Sequence, residues 1–391
     1  MASPATAVKS RVLEWLEAGL DAVDPVTLTS RAVHGSEATV IAIGKAAAAM
    51  CRGAASSVGG LRGVCVTDQE DVVPDGVELL IGDHPIPDTR SLEAGQAVLE
   101  AVQQASGRIV ALISGGGSAL CEQPRDGLDL DFVKAANRAL IHGGAGIDET
   151  NLVRGHLSAI KCGGLARAAA GPIETYVISD VAGAGPEVVA SGPTLPMRFD
   201  PERAMEILRR CGMEVSAGQR EVMASTPGPA GHSTVEVLAN GMTAAAAIAS
   251  AARADGFEAM VQPDWLTGTA EEAVRHMLKE AGAGVTVAAG ETVVEVTGSG
   301  QGGRNTHAAL VAAREIAGTD LVFAAFATDG NDGTSRSAGG LVDGQTLDVG
   351  DDPAPALEQH DSAGFLASAG GLLPQRRTGT NVADIWVAYR P

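Results

Sequence analysis

The run from Glu291 to Ile316 holds the densest grouping of residue types suited to binding an anion. Thr292-Val-Val-Glu-Val-Thr297 reads as a strand, Gly298-Ser-Gly-Gln-Gly-Gly303 breaks it, and Arg304-Asn305 opens a helix. Glycines let a backbone approach a ligand closely, and a helix N-terminus offers unpaired N–H groups and a partial positive charge. Arg304 adds a full charge, so Gly302, Gly303, Arg304 and Asn305 are expected to cradle phosphate. Gly298-x-Gly300-x-x-Gly303 also fits a dinucleotide fingerprint, with Asp329 near the position of a ribose-binding acid. Arg304 directly after the last glycine, and the late position in the chain, weaken that reading.

A second glycine loop, Ser114-Gly115-Gly116-Gly117-Ser118, follows an apolar strand-like run and could present several N–H donors as an anion nest. Ile43-Gly44-Lys45 ends another such run, but Thr39 stands where a Walker A motif needs its first glycine and Ala46 where it needs Ser or Thr. It is no P-loop. Lys45 can still face a carboxylate or phosphate from a strand's C-terminal edge, or be an ordinary solvated lysine. His156 and Lys161 lie across a helix end and a glycine turn, as phosphate or hydroxyl contacts or as structural residues. Asp180 and Asp329 each follow a buried strand, where a carboxylate can hold Mg²⁺, accept a proton, or simply form an Asx-turn.

These residues must be positioned by a largely apolar chain of 391 residues, 45% apolar against 19% charged, enough for two domains. The net charge of −20 argues against a nucleic-acid partner and makes each Lys or Arg beside a glycine loop informative. Five cysteines without a CxxC pair read as thiols of a reducing compartment. With no signal-like segment and no run of 18 apolar residues, a cytoplasmic protein without membrane contact is expected.

Strands are expected at 39–43, 63–67, 108–113, 175–178, 235–238, 285–289, 293–297 and 322–327, with helices at 7–23, 92–105, 130–142, 201–211, 243–255, 269–281 and 305–316. The alternation predicts a three-layer α/β architecture with parallel sheets. Apolar periodicity fades towards Thr226-Pro-Gly-Pro-Ala-Gly-His232, so the reading divides the chain into 1–235 and 236–391.

Taken in order, Gly44-Lys45-Ala46-Ala47, Asp83-His84-Pro-Ile-Pro-Asp88, Ser114 to Ala119, Asn151 to Lys161, Ser179-Asp180-Val181, Ala190-Ser-Gly-Pro-Thr194, Gly302-Gly-Arg-Asn305, Ala327-Thr-Asp-Gly330 and Thr378-Gly-Thr-Asn381 resemble the glycerate 2-kinase family, the type with a C-terminal MOFRL domain. The resemblance spans nearly the whole chain. It implies a Rossmann-like N-terminal domain, a smaller α/β C-terminal domain, and ATP- and Mg²⁺-dependent phosphorylation of the 2-hydroxyl of D-glycerate or a related hydroxy acid in the cleft between them. Lys45 and Arg304 fall where the family's proposed catalytic cations lie; in a kinase of this type Asp180 is expected as a catalytic group, and Asp180 or Asp329 would hold the metal or orient the hydroxyl. The glycine loops and Lys161 would contact nucleotide phosphates, and Lys45, His156 and Arg304 the substrate. A homo-oligomer is compatible with it. The chain departs from the pattern at Ala182-Gly-Ala184-Gly185, where the family has Pro-Gly-Asp-Asp, at Thr306-His307 for Gln-Glu, and at Arg336 for an acid. Two other classes stand beside the kinase: an NAD(P)-dependent hydroxypyruvate reductase, resting on the glycine fingerprint, and a repurposed binder without turnover.

Overall fold

A computed structural model of the chain describes residues 4–181, 183, 185–349 and 352–391. They form two compact units, one of residues 25–238 and one of residues 1–24 with 239–391.

In the first unit, β1 (Ala38–Ile43), β2 (Leu61–Thr67), β3 (Val77–Ile81), β4 (Ile109–Ser114), β5 (Ile173–Ile178) and β6 (Ser233–Ala239) lie in the order β3-β2-β1-β4-β5-β6. β3 pairs with β2, β2 with β1, β1 with β4 and β4 with β5, all in parallel. Successive side chains of a strand point to opposite faces, and Val40, Ile41, Ala42 and Ile43 are all fully buried, so both faces of β1 are covered. On one face Ile41 and Ile43 pack with Val98 and Val102 of helix Thr89–Gln104 and with Leu165. The strand order reverses between β1 and β4, so the loops leaving their C-terminal ends flank a crevice. Those loops are Gly44-Lys45 and Gly115 to Ser118.

In the second unit, β7 (Ala259–Val261), β8 (Gly284–Gly290), β9 (Val322–Ala327), β10 (Ser337–Asp343), β11 (Leu372–Pro374) and β12 (Asp384–Arg390) lie in the order β11-β10-β9-β12-β8-β7. This sheet is mixed, against the expectation of parallel sheets: β7 and β8 are parallel, whereas β12 runs antiparallel between β8 and β9, and β10 pairs antiparallel with β9 and β11. Val293–Thr297 is not a strand. Because β12 takes the place beside β8, the chain after Gly290 leaves the sheet, making one isolated bridge from Val293 to Thr269 and leaving Val293 and Val296 more than 60% exposed. Trp386 of β12 is fully buried in the core with the helix Arg304–Glu315.

The first helix, Pro4–Ala22, belongs with this second unit and not with the segment 25–238 that follows it. A Cβ at Gly19 would come 2.7 Å from Ile248 of helix Gly241–Ala254, and Trp15 Nε1 donates to Asp255 at 2.8 Å.

Candidate active site

In the first unit the crevice loops are built by close approaches that only glycine allows. Gly44 has φ +130°, and a Cβ there would meet Ser114 Oγ at 2.2 Å. The loops are then tied together: the Lys45 amide donates to the Gly115 carbonyl at 2.9 Å and the Ala46 amide to Ser114 Oγ at 3.1 Å. Gly115 has the Asp180 carboxylate directly against it, since a Cβ would come 1.8 Å from Asp180 Oδ2. The stem of Lys45 lies over Gly116, whose φ is +84°, with Lys45 Cγ 3.2 Å from the Cβ position. Lys45 and Asp180, both half-buried, therefore converge on the loop Ser114–Ser118. At the loop's far end Ser118 Oγ shares a hydrogen bond with Ser191 Oγ at 2.7 Å, and Ser191 Oγ donates to Asn151 Oδ1 at 2.7 Å. Ser191 anchors the loop; the sequence marks it within Ala190-Ser-Gly-Pro-Thr194 without a role, and its place between Ala190 and Gly192, both at positive φ, makes a tightly specified turn.

Two of the expected contacts lie elsewhere. Lys161 Nζ donates to Glu122 Oε2 with both side chains 1% exposed, so its charge is committed to a buried ion pair instead of a phosphate. His156 donates from Nδ1 to the Met223 carbonyl at 2.8 Å and accepts at Nε2 from the Asp200 amide at 3.1 Å. A carbonyl only accepts and an amide N–H only donates, which fixes the neutral Nδ1–H tautomer. Burial pushes the His156 pKa down, and the ring rests on Phe199 at 3.9 Å between ring centres, so both ring nitrogens are already used within the protein.

In the second unit the helix Arg304–Glu315 begins at Arg304, as its sequence suggests, but its N-terminus already holds an anion. Asp332, 2% exposed, accepts from the Asn305 amide at 2.9 Å and the Thr306 amide at 2.7 Å. Gly303 is a glycine because a Cβ would come 2.3 Å from the Asp332 Cγ. The remaining glycines face the segment 359–362: Cβ atoms at Gly298, Gly300 and Gly302 would come 2.3, 2.5 and 2.5 Å from Gln359, Asp361 and Ser362. The expected phosphate cradle and dinucleotide fingerprint are thus filled by the protein itself. Asn305 turns inward, accepting from Trp386 Nε1 at 3.0 Å.

Arg304 is held in a fork. Its Nε and NH2 donate to the two oxygens of Asp384 at 2.5 and 3.2 Å, and NH1 donates to Glu291 at 2.6 Å. Asp384 is buried while Arg304 and Glu291 stay 34% and 53% exposed. Burial raises the Asp384 pKa to about 6, more than the charge and hydrogen bonds of Arg304 lower it. For Arg304, burial works against the charge, but Asp384 and Glu291 outweigh it and leave the pKa above the ordinary value. Asp329 is half-buried after β9 and accepts from the Asn331 amide at 3.0 Å, an Asx-turn.

Of the departures from the family pattern, His307 is 3% exposed, places Nε2 2.5 Å from Glu271 Oε1 and stacks on His360 at 5.5 Å between ring centres. Arg336 is exposed at φ +52°, Gly185 precedes the 3₁₀ turn Pro186–Ser191, and Ala184 lies outside the described residues.

Two family models match the chain: the "domain of unknown function (DUF4147)" over residues 11–224 and the MOFRL family over residues 284–384. The D-glycerate 2-kinase of Thermotoga maritima is 33% identical over 97% of this chain and 97% of that protein. The crystal structure of a Thermotoga maritima glycerate kinase superposes with a TM-score of 0.88 at 32% identity, covering 99% of this chain and all of the other. This chain belongs to the glycerate kinase family. The members so named are phosphotransferases that act on an alcohol group, and kinase chemistry implies ATP as the phosphoryl donor. A relative from Agrobacterium vitis, 38% identical over 88% of this chain and 85% of its own, carries instead a provisional name as a hydroxypyruvate reductase. No described helix is long and apolar enough to cross a membrane.

Proposed function

We propose that this glycerate kinase family member transfers the γ-phosphoryl group of ATP to the 2-hydroxyl of D-glycerate or a closely related hydroxy acid. The observation that carries the reading is the convergence of Lys45 and Asp180 on the glycine loop Ser114–Ser118 at the sheet's switch point. Phosphoryl transfer asks a protein mainly for positioning and charge stabilisation. Here Lys45 supplies the cation, the amides of Gly115 to Ser118 supply fixed dipoles, and Asp180 supplies a carboxylate able to orient the substrate hydroxyl or take its proton.

Among the described residues no group of three or more His, Cys, Asp or Glu side chains could hold a metal ion. Mg²⁺ needs no such cage, because it is commonly held by one or two carboxylates and the substrate's phosphates. Asp180, beside loop amides suited to phosphate, fits that donor set, and Mg²⁺ bound there would neutralise part of the phosphate charge. Asp329, already in an Asx-turn, is the weaker ligand. In the second unit, Arg304 can exchange its exposed Glu291 contact for a phosphate oxygen while Asp384 keeps it in place. An exposed ion pair is worth ~0–1 kcal/mol, so that exchange costs little.

The test is turnover of purified protein with ATP, Mg²⁺ and D-glycerate, with ADP followed by a coupled assay and the product by ³¹P NMR. Phosphorylation at the 2-position is expected. NADH oxidation with hydroxypyruvate, and no phosphoryl transfer, would give the reductase reading precedence. Calorimetric binding of ATP or glycerate without product would favour the repurposed binder that His307 and Arg336 suggest.

A further inference from the structure

A cavity of about 480 Å³ in the first unit, apart from the glycine loops, is lined by Arg125, Arg167, Ser158, Ser225, Gln103 and Asp126. Arg125 donates to the Ser225 carbonyl and Oγ at 2.7 Å each and to the His156 carbonyl at 3.5 Å; Arg167 donates to the Lys161 carbonyl at 3.4 Å. Neither guanidinium has a carboxylate within ion-pairing distance among the described residues, although the chain carries 48 acidic against 28 basic side chains. Most other arginines are paired: Arg52, Arg90, Arg108, Arg203, Arg210 and Arg304 each hold an acid. Leaving two cations together in one half-buried hollow is unfavourable, and burial lowers both pKa values, that of Arg167 further through the charge of Arg125. An anion would reverse that cost and could accept from the forked N–H donors that carbonyls leave over.

The hollow is also shaped for a ligand larger than the anion alone. Arg167, Gly155 and Pro227 line a second cavity of about 190 Å³, walled by Leu152, Phe199 and Met197. Gly155 keeps the wall close, since a Cβ there would come 2.5 Å from Cys162 Sγ.

We propose that Arg125 and Arg167 form a binding site for a small phosphate-bearing anion, separate from the Lys45 loop and independent of the kinase reading. Ser158 and Ser225 add neutral hydroxyls, and the adjoining cavity receives the apolar side of the molecule.

Calorimetry on the full chain with inorganic phosphate as probe tests this. Saturable binding is expected, weakened about tenfold or more in Arg167→Gln, as befits loss of charge-assisted hydrogen bonds, and less in Arg167→Lys. Repeating the titration in a Lys45→Ala background removes the glycine loop's own cation, and the same losses are expected there from the arginine substitutions. Should circular dichroism find Arg167→Gln unfolded, Arg125→Gln takes its place with the same expectation. No saturable binding in the Lys45→Ala background, or unchanged binding in the folded arginine variants, would overturn the site.

Discussion

Replacing Arg304 by Gln would leave the Asp384 carboxylate buried without its cation. With Arg304 in place the Asp384 pKa already stands at about 6 against an ordinary 3.8, which corresponds to roughly 3 kcal/mol of burial penalty left uncompensated above that pH. Removing one partner of a buried pair costs ~3–5 kcal/mol. The folded state holds the Asp384 proton more tightly than the unfolded chain does, so this group's stabilisation is full below 3.8 and is lost as pH rises to about 6. In Arg304→Gln the folded pKa climbs further, so the loss continues to higher pH. The destabilisation should therefore be small at pH 5, where Asp384 is mostly protonated in both proteins, and approach the full amount at pH 8. Urea unfolding followed by tryptophan fluorescence at the two pH values reads this directly. Adding Asp384→Asn should restore most of the stability of Arg304→Gln. It should not restore turnover, which is expected to stay ~10²-fold down if Arg304 stabilises transferring phosphate. A loss of stability equal at pH 5 and pH 8, or below about 1 kcal/mol at both, would refute the reasoning.

Gly115→Ala places a methyl 1.8 Å from Asp180 Oδ2, so Asp180 must move and turnover should fall steeply with little change in melting temperature; unchanged kinetics would separate Asp180 from the chemistry. Glu122→Gln strands the Lys161 ammonium in the core and should cost ~3–5 kcal/mol by chemical denaturation, whereas a loss under 1 kcal/mol would show the pair to be hydrated. His156 has a depressed pKa, so the unfolded chain takes up its proton first and stability should drop as pH falls below 6.5; His156→Gln should flatten that part of the stability profile without changing turnover at neutral pH.

Elements formed by local signals were legible in the sequence. The helix at Leu130–His142 follows from its apolar spacing, and the Ser114–Ser118 loop from three glycines behind a strand. Contacts distant in sequence were not. The strand beside β8 comes from residues 384–390, so nothing local revealed that Val293–Thr297 would be displaced from the sheet. Asp332 reaches the helix start at Asn305, and Glu122 reaches Lys161, across 27 and 39 residues. A glycine loop before a helix looks the same whether the anion it receives is a ligand or the protein's own carboxylate.

Lys45, the Ser114–Ser118 loop and Asp180 are proposed to form a phosphoryl-transfer site. That role is tested most directly by ³¹P NMR of wild-type protein and Lys45→Ala incubated with ATP, Mg²⁺ and D-glycerate. The wild type should give 2-phosphoglycerate, and a folded Lys45→Ala should give it at a rate lower by ~10²-fold or more, the loss expected when one electrostatic stabiliser is removed. Equal rates from the two proteins would contradict it, as would no phosphorylated hydroxy acid from the wild type.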